Sequence, residues 1–539
     1  MRKNQATYIK KSIIPCLGLS MIAGALSATL IFLFKLAYTA VINLSAQIYS
    51  AVRANPAYLP LLILGAVVLG LLAAAILKYE PSARGGGIPT SVAILRGLIS
   101  FHWLKNIITL FSSAMITYLC GVPLGTEGPS VQMGTAVGRG TVRIFAKNHL
   151  AWDRYIMTGG ACAGFACATG APLSGIFFAF EDAHRRFSPM IFLSAATAVF
   201  SGFAVSEFFS SVSDITLNLF HLGFIQTLPP RYIWIGIVVG IICGAIAILF
   251  TKIYQFFSKL NEKSILKISL WIKIPSIFAI VALIGFTSSH FIGTGHSFIE
   301  FLLDGHGIWY LLLLYLAIRA LLLILSTTSG ITGGLFVPSL AFGALIGALI
   351  ASALIAMGWI PKDYYVLIVT VGMASFLSAF SRTPITAIAF SIEALGGFSN
   401  ILLMIAGVTF AYLTIEIASV TAFSEAVIEN KEENEHQGKT AAVIDEHVTV
   451  QTGAFAADKE IRDIFWPPTC TVLSIKRNPL HPTSGDGVIC PGDVLHLHYR
   501  SYDTEKTRAL IESIVGKQEM DPNLRTRVVN QDHQTPKWD

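Results

Sequence analysis

The chain has 539 residues, of which 54% are hydrophobic and only 13% charged, with a mean hydropathy of +0.65. That composition excludes a wholly soluble protein and makes this an integral membrane protein. A formal net charge of +6 is small for the length: it calls for no nucleic-acid partner and is met by Lys and Arg facing a membrane surface.

In chain order, Arg2, Lys3, Lys10 and Lys11 precede a long apolar stretch. They lack the compact pattern of a cleaved signal peptide and read as a cytoplasmic flank, which puts the N-terminus inside. About 20 apolar residues span a bilayer as a helix, so the stretches 13–45, 57–78, 232–255, 270–291 and 308–326 are predicted spans. Regions 103–210 and 338–423 are equally apolar but cut by Gly and Pro, which predicts short or interrupted helices. Such breaks are tolerated only where the freed backbone is buried in protein or lines a cavity. Five cysteines, Cys16, Cys120, Cys162, Cys167 and Cys243, sit in apolar segments as small core residues and imply no disulfide framework.

Within the first interrupted region lies Gly125-Thr126-Glu127-Gly128-Pro129-Ser130. An ionisable group at membrane depth is expensive and marks an ion or proton pathway. Pro129 suits a first helical turn, and the two glycines let the backbone bend and present free N–H groups. A half-helix N-terminus inside a membrane is an anion site. A carboxylate beside it competes with the anion when ionised and withdraws when protonated, which makes Glu127 a candidate gate.

The chain also repeats internally. Pro129-Ser130 is followed by Gly134 and Gly138, and Pro338-Ser339 by Gly343 and Gly347, at the same offsets. Pro172 precedes Glu181 by nine residues, as Pro384 precedes Glu393; the paired prolines are 43 residues apart in one half and 46 in the other. Two homologous halves follow, about 10–215 and 230–425, and duplicated halves place transporter sites at their interface. The repeat matches Glu127 with Phe336. A third Gly-rich turn, Gly85-Gly86-Gly87-Ile88-Pro89, offers more backbone donors, which hold an anion without the full positive charge that would trap it.

Gly85 to Pro89, Gly125 to Pro129 and Gly334-Leu335-Phe336-Val337-Pro338 resemble, in order and spacing, the three signature segments of the CLC anion channels and anion/proton exchangers. The resemblance covers about residues 10–425. It implies an all-α polytopic fold of two inverted repeats of broken transmembrane helices, and a homodimer with one anion pathway per subunit. It further implies that Glu127 is the gate and external proton acceptor, that Gly86, Gly87, Ile88, Leu335 and Phe336 contact the anion, and that Asp182 is the internal proton acceptor. The family pattern there is two glutamates; Asp182 is one methylene shorter. One hydroxyl donor of the family's chloride-selective members is replaced by Gly86. The anion-contacting tyrosine falls on Phe423 if one residue is deleted in the loop after Glu393, or on Ser424 without the gap, and with Phe423 in place a second hydroxyl is missing. Each lost bond to a charged partner costs roughly 1.5 to 3 kcal/mol, so weaker central anion binding is expected.

Several of these residues have plainer readings. Glu181 and Glu393, being repeated, read as acceptors of backbone donors at helix boundaries. Glu181 with Arg185 and Asp182 with Arg186 have the spacing of i,i+4 pairs on a solvated helix end. Glu416 is an intramembrane acid with no assigned role, and Phe336 could be plain core among 35 phenylalanines.

After about Asn430 the composition changes. The segment 429–445 reads as a charged linker between a transmembrane domain, 1–428, and a small α+β cytosolic domain, 446–516; 517–539 reads as a disordered tail. Strands are predicted at Val448 to Val450, Thr471 to Arg477 and Val494 to Arg500, with helices near 456–464 and 503–515. The run Thr471 to Arg477 followed by Pro491-Gly492-Asp493-Val494-Leu495 resembles the C-terminal domain of bacterial potassium-transport RCK proteins (TrkA-C), which implies a domain that binds a small ligand or dimerises. His496 and His498, two apart on a strand, read as a solvated face rather than a metal site.

The expected function is therefore transport of chloride or a similar small anion in exchange for protons, in a bacterial inner membrane with both termini cytoplasmic. No metal and no cofactor are called for. A passive ligand-regulated anion channel is the alternative, because Gly86 and Phe423 weaken the coordination exchange needs. An anion-sensing receptor is a remote reading. So is an intramembrane enzyme: Ser174 in Gly170-Ala171-Pro172-Leu173-Ser174-Gly175 looks like a nucleophile, but no histidine has a recognisable place beside it and its repeat partner is Thr386.

Overall fold

The computed structural model describes residues 13–85, 87–147, 149–213, 219–220, 226–262, 269–305, 307–477, 487–518 and 525–529. Gly86 and the basic flank from Arg2 to Lys11 lie outside the described residues. Among the described residues, nine helices are long and apolar enough to cross a membrane. The first, α1 (Ile14–Ala54), has 41 residues and so runs about 60 Å, twice the hydrocarbon thickness, which requires a steep tilt or protrusion. The rest of the first half is α2 (Leu59–Tyr79), α3 (Ile88–Arg96), α4 (Trp103–Leu119), α5 (Glu127–Phe145), α6 (Asp153–Thr169), α7 (Pro172–Phe178) and α8 (Pro189–Ser211). The second half is α9 (Trp234–Glu262), α10 (Leu270–Thr287), α11 (His296–Leu303), α12 (Trp309–Thr328), α13 (Phe336–Ala356), α14 (Tyr365–Ser381), α15 (Pro384–Ala394) and α16 (Ile401–Ile417). The five uninterrupted spans expected from hydropathy are present, and the Gly/Pro-cut regions are broken helices.

The repeat is physical as well as textual. Helix α5 packs on α6 where Gly134 meets Gly160, and α13 packs on α14 where Gly343 meets Gly372. A Cβ would come within 2.2 Å of a backbone oxygen at Gly134 and 2.3 Å at Gly343. Small residues let these backbones touch, which is how helices gain contact in a lipid environment that offers no hydrophobic drive between them. The repeated glycines at these offsets are therefore contact points shared by both halves.

Helix α17 (Phe423–His436) leads out of the membrane domain and continues through Lys431-Glu432-Glu433-Asn434-Glu435, so the first part of the expected linker is helical. A four-stranded antiparallel sheet follows, in the order β2-β3-β1-β4, formed by β1 (Ala441–Thr449), β2 (Thr471–Lys476), β3 (Val494–Ser501) and β4 (Arg525–Val529). Helix α18 (Thr504–Val515) buries Ile511, Ile514 and Val515 against Ile444, Val448, Leu495 and Leu497.

Three details differ from the sequence reading. Strand β1 begins at Ala441, because its polar residues Asp445, Glu446 and His447 still alternate about the sheet, and buried Glu446 is satisfied by the Tyr499 hydroxyl at 2.9 Å. Residues 456–464 form turns with one 3-10 turn, Ile461–Asp463, since their amides bond outward, Ala456 to Ile514 and Asp458 to Ile489, and Asp458 takes a positive φ. Within the expected disordered tail, 525–529 pairs with the open edge of β1.

Candidate functional site

Two broken helices begin side by side. Gly125 and Gly334, which occupy the same position in the two halves, exchange both backbone hydrogen bonds at 2.7 and 2.6 Å. A residue can pair with its own repeat counterpart in this way only when an approximate two-fold axis passes between them, so the halves are inverted about this point. Gly128 is wedged between the other two signature segments: a Cβ there would lie 2.6 Å from the Cα atoms of both Gly87 and Gly334. Three Gly-rich turns distant in sequence thus meet backbone to backbone.

Helices α5, α3 and α13 start here without side-chain caps. Their first N–H groups have no partner within the helix, and the aligned peptide dipoles add partial positive charge at each end. The electrostatics favour an anion between α5 and α13. Leu335 and Phe336, at the start of α13, are buried, and the Phe336 ring is held edge-on by Phe165 and Phe390 at 5.1 and 5.0 Å. Ile88 is buried at the start of α3. The Gly87 N–H donates to Gln132 Oε1 at 3.2 Å, so that amide is already engaged. Phe423 lies apart, fully buried in an aromatic cluster with Phe380, Phe250 and Tyr254.

Glu127 is fully buried at the first position of α5. Its Oε1 accepts from the Thr126 hydroxyl at 2.8 Å, and its Oε2 is buried without a hydrogen-bond partner. The sequence reading missed the nearest cationic candidate: His296 Nε2 on α11 stands 3.6 Å from Glu127 Oε1. No local pattern could have found it, because the two residues belong to different halves.

The repeated acids form a reciprocal clasp. Glu181 accepts from the Ile385 and Thr386 amides at 2.8 and 2.7 Å, at the start of α15. Glu393 accepts from the Leu173 and Ser174 amides at 2.6 and 2.9 Å, and from the Ser174 hydroxyl at 2.7 Å, at the start of α7. Each half caps a helix of the other, as expected for acids at helix boundaries. Ser174 is thereby a capping partner.

Asp182 sits one residue beyond Glu181 in a π-helical turn, Ala179–Ala183, and is 6% exposed. Arg96 donates to the backbone oxygens of Asp182 and Ala183 at 2.9 and 3.0 Å and pairs with Glu425 at 3.1 Å; Arg185 pairs with Glu425 at 2.7 Å. Neither acid therefore makes the expected i,i+4 pair. Glu416 pairs with Arg382 at 3.1 Å. In the repeat, Glu127 faces Phe336 and Asp182 faces Ala394, so these two acids stand where the symmetry of the halves is broken. The structural acids Glu181 and Glu393 keep it.

The C-terminal domain docks beside this cluster. Arg154 Nη1 donates to the Trp466 carbonyl at 2.8 Å, Arg186 to the Ile464 carbonyl at 3.2 Å, and the Tyr155 hydroxyl to the Asp463 carbonyl. The Phe465 ring lies between the two guanidinium groups, 4.6 and 4.8 Å away. On the domain's outer face, His498 Nδ1 contacts Asp445 Oδ1 at 2.8 Å and His496 stacks on His447.

The fold and the paired helix starts define a polytopic anion-pathway protein. Residues 69–416 match the family model of the voltage gated chloride channels, and the chain belongs to that family. It is similar to two proteins named H(+)/Cl(-) exchange transporter ClcA. The one from Citrobacter koseri is 29% identical over 336 residues, 61% of this chain and 69% of the relative. The one from Cronobacter sakazakii is 29% identical over 335 residues, 61% and 70%. Among solved structures, a slow cyanobacterial Cl-/H+ antiporter superposes with a TM-score of 0.72 at 21% identity, covering 78% of this chain and 99% of that one. A CLC-type fluoride/proton antiporter gives 0.60 at 20% identity, covering 74% and 94%. These likenesses show the fold.

Proposed function

We infer that this protein exchanges chloride or a similar small anion for protons through a pathway gated by Glu127. The observation that carries this is the junction of two uncapped helix starts at Gly125 and Gly334 with the buried Glu127 carboxylate beside them. An anion there and an ionised Glu127 compete for the same N–H donors. Protonation of Glu127 lowers its claim on those donors, which ties anion occupancy to proton uptake. Asp182, the other symmetry-breaking acid, serves as internal proton acceptor. The ClcA relatives, named as exchange transporters, support exchange over a passive channel.

The finer assignments belong to the same reading. Backbone groups at Gly87, Ile88, Leu335 and Phe336 line the anion path. The protein works as a homodimer in a bacterial inner membrane with both termini cytoplasmic. Cys16, at the start of α1, lies near Lys459 of the C-terminal domain, which supports placing that helix end and the domain on one side of the membrane. The α+β domain is of the RCK C-terminal type, binds a small ligand, and acts through its contacts next to Asp182.

The test is proton movement into liposomes carrying purified protein under an imposed chloride gradient, with the voltage clamped by an ionophore. Uphill proton movement is expected. Glu127→Gln should abolish it while anion flux continues, and Asp182→Asn should slow it at least tenfold. Chloride flux without protons in the unmodified protein would establish a passive pathway instead.

A further inference from the structure

Glu127 is fully buried, whereas the His296 side chain, 3.6 Å from its Oε1, is 24% exposed. His296 therefore bridges the buried carboxylate and the outside of the protein. It is also held firmly. The loop before it turns through Gly293 and Gly295, at φ of 78° and 113°, where a side chain would be strained. Arg319, 2% exposed, donates to the carbonyls of His290, Ile292 and Gly293 at 2.9, 3.1 and 3.1 Å. The Gly293 amide bonds the Gly121 carbonyl at 2.7 Å, and the Thr294 hydroxyl meets the Tyr38 hydroxyl at 2.9 Å. The Phe220 ring flanks the imidazole at 5.8 Å. A buried guanidinium that donates to three loop carbonyls is a costly way to shape a loop, and what that loop presents is His296.

We propose that His296 is the relay through which Glu127 exchanges its proton with water on the outer side. The inference rests on the exchange reading, with Glu127 as proton acceptor. In the inward direction, imidazole takes a proton from hydronium in the outer water, which becomes H2O, and is then imidazolium. The Nε2–H bond then breaks as an O–H bond forms at Glu127 Oε1, leaving neutral imidazole and a carboxylic acid. The reverse transfer returns the proton. A closure of under 1 Å brings the pair to hydrogen-bond distance, within the looseness usual before a transfer geometry forms. Among the described residues, the other titratable or charged groups around the pair are Lys35 and Tyr38 on α1, Tyr118 on α4 and Arg319 on α12, with Glu300 exposed on α11 itself. Among side-chain types, histidine is the one suited to shuttling protons near neutral pH, and His296 Nε2 stands 3.6 Å from Glu127 Oε1.

The test measures coupled exchange in liposomes against external pH from 5 to 8.5 for the unmodified protein, His296→Gln and His296→Ala. Coupled turnover should fall at least tenfold in both variants and lose its inflection in that range. External imidazole should restore turnover in His296→Ala and leave His296→Gln unchanged, a rescue that a merely structural role would not produce. In a Glu127→Ala background, adding His296→Gln should leave the uncoupled anion flux unaltered. Unchanged turnover and pH profile in the single variants would overturn the relay, as would an equal loss of anion flux in the Glu127→Ala background. If the unmodified protein moves no protons at all, the exchange reading itself fails, which is a separate result.

Discussion

Gly128→Ala tests whether the three Gly-rich turns must touch for the pathway to exist. The new Cβ would lie 2.6 Å from the Cα atoms of Gly87 and Gly334, against an optimal carbon separation of about 3.5 to 4.0 Å. Both obstacles are backbone, so neither can rotate away; the turns must separate by roughly 1 Å. Overpacking of this kind costs about 1 to 3 kcal/mol, and loss of the two Gly125–Gly334 bonds adds about 1 kcal/mol each. A displacement of roughly 1 Å at a reacting site costs on the order of 100-fold in rate. The expected outcome is a lower thermal midpoint in detergent and anion flux reduced on the order of 100-fold. Gly18→Ala is the control, since nothing lies within 4 Å of the position its Cβ would take. Flux and midpoint for Gly128→Ala indistinguishable from those of Gly18→Ala would refute the reasoning.

Breaking the clasp on one side should hurt nearly as much as breaking both. Glu181→Gln and Glu393→Gln should each lower the thermal midpoint, with a double variant short of additive because the two contacts brace the same pair of helices; strict additivity would mean independent caps. Phe465→Ala removes the ring between Arg154 and Arg186 and should raise protease sensitivity in the 437–440 connection without unfolding the membrane helices, read by limited proteolysis. Burial pushes the Lys459 ammonium down to about 6, while an unfolded lysine titrates near ~10.4. The folded state thus rejects a proton that the unfolded chain holds. The penalty is complete below about pH 6, shrinks as pH rises, and is gone above ~10.4. Lys459→Met should raise the C-terminal domain's midpoint at pH 7 and flatten its rise between pH 7 and 9; an unchanged slope would show that Lys459 is not the group responsible.

The sequence by itself determined the spans, the interrupted helices and the duplication, and it singled out Glu127 as an acid in an apolar segment, because each of these is written in local terms. Apolar runs of bilayer length, Gly and Pro at fixed offsets, and an acid in an apolar segment need no partner to be read. Only the tertiary structure decided what the repeated residues touch. Glu181 reaches the start of α15 and Glu393 the start of α7, more than 200 residues away in each case, so nothing near either acid in the chain discloses its role. The same holds for Gly125 with Gly334 and for Glu127 with His296. Strand β4 was hidden because its pairing depends on an edge that β1 leaves open, and 456–464 escaped helix because its amides find distant carbonyls. The physical reason is common to all of these. Periodicity reports which face of a segment is apolar, whereas charge pairing, backbone exchange and loop clamping depend on the inversion of two halves about an axis, and that axis exists only once the chain has folded.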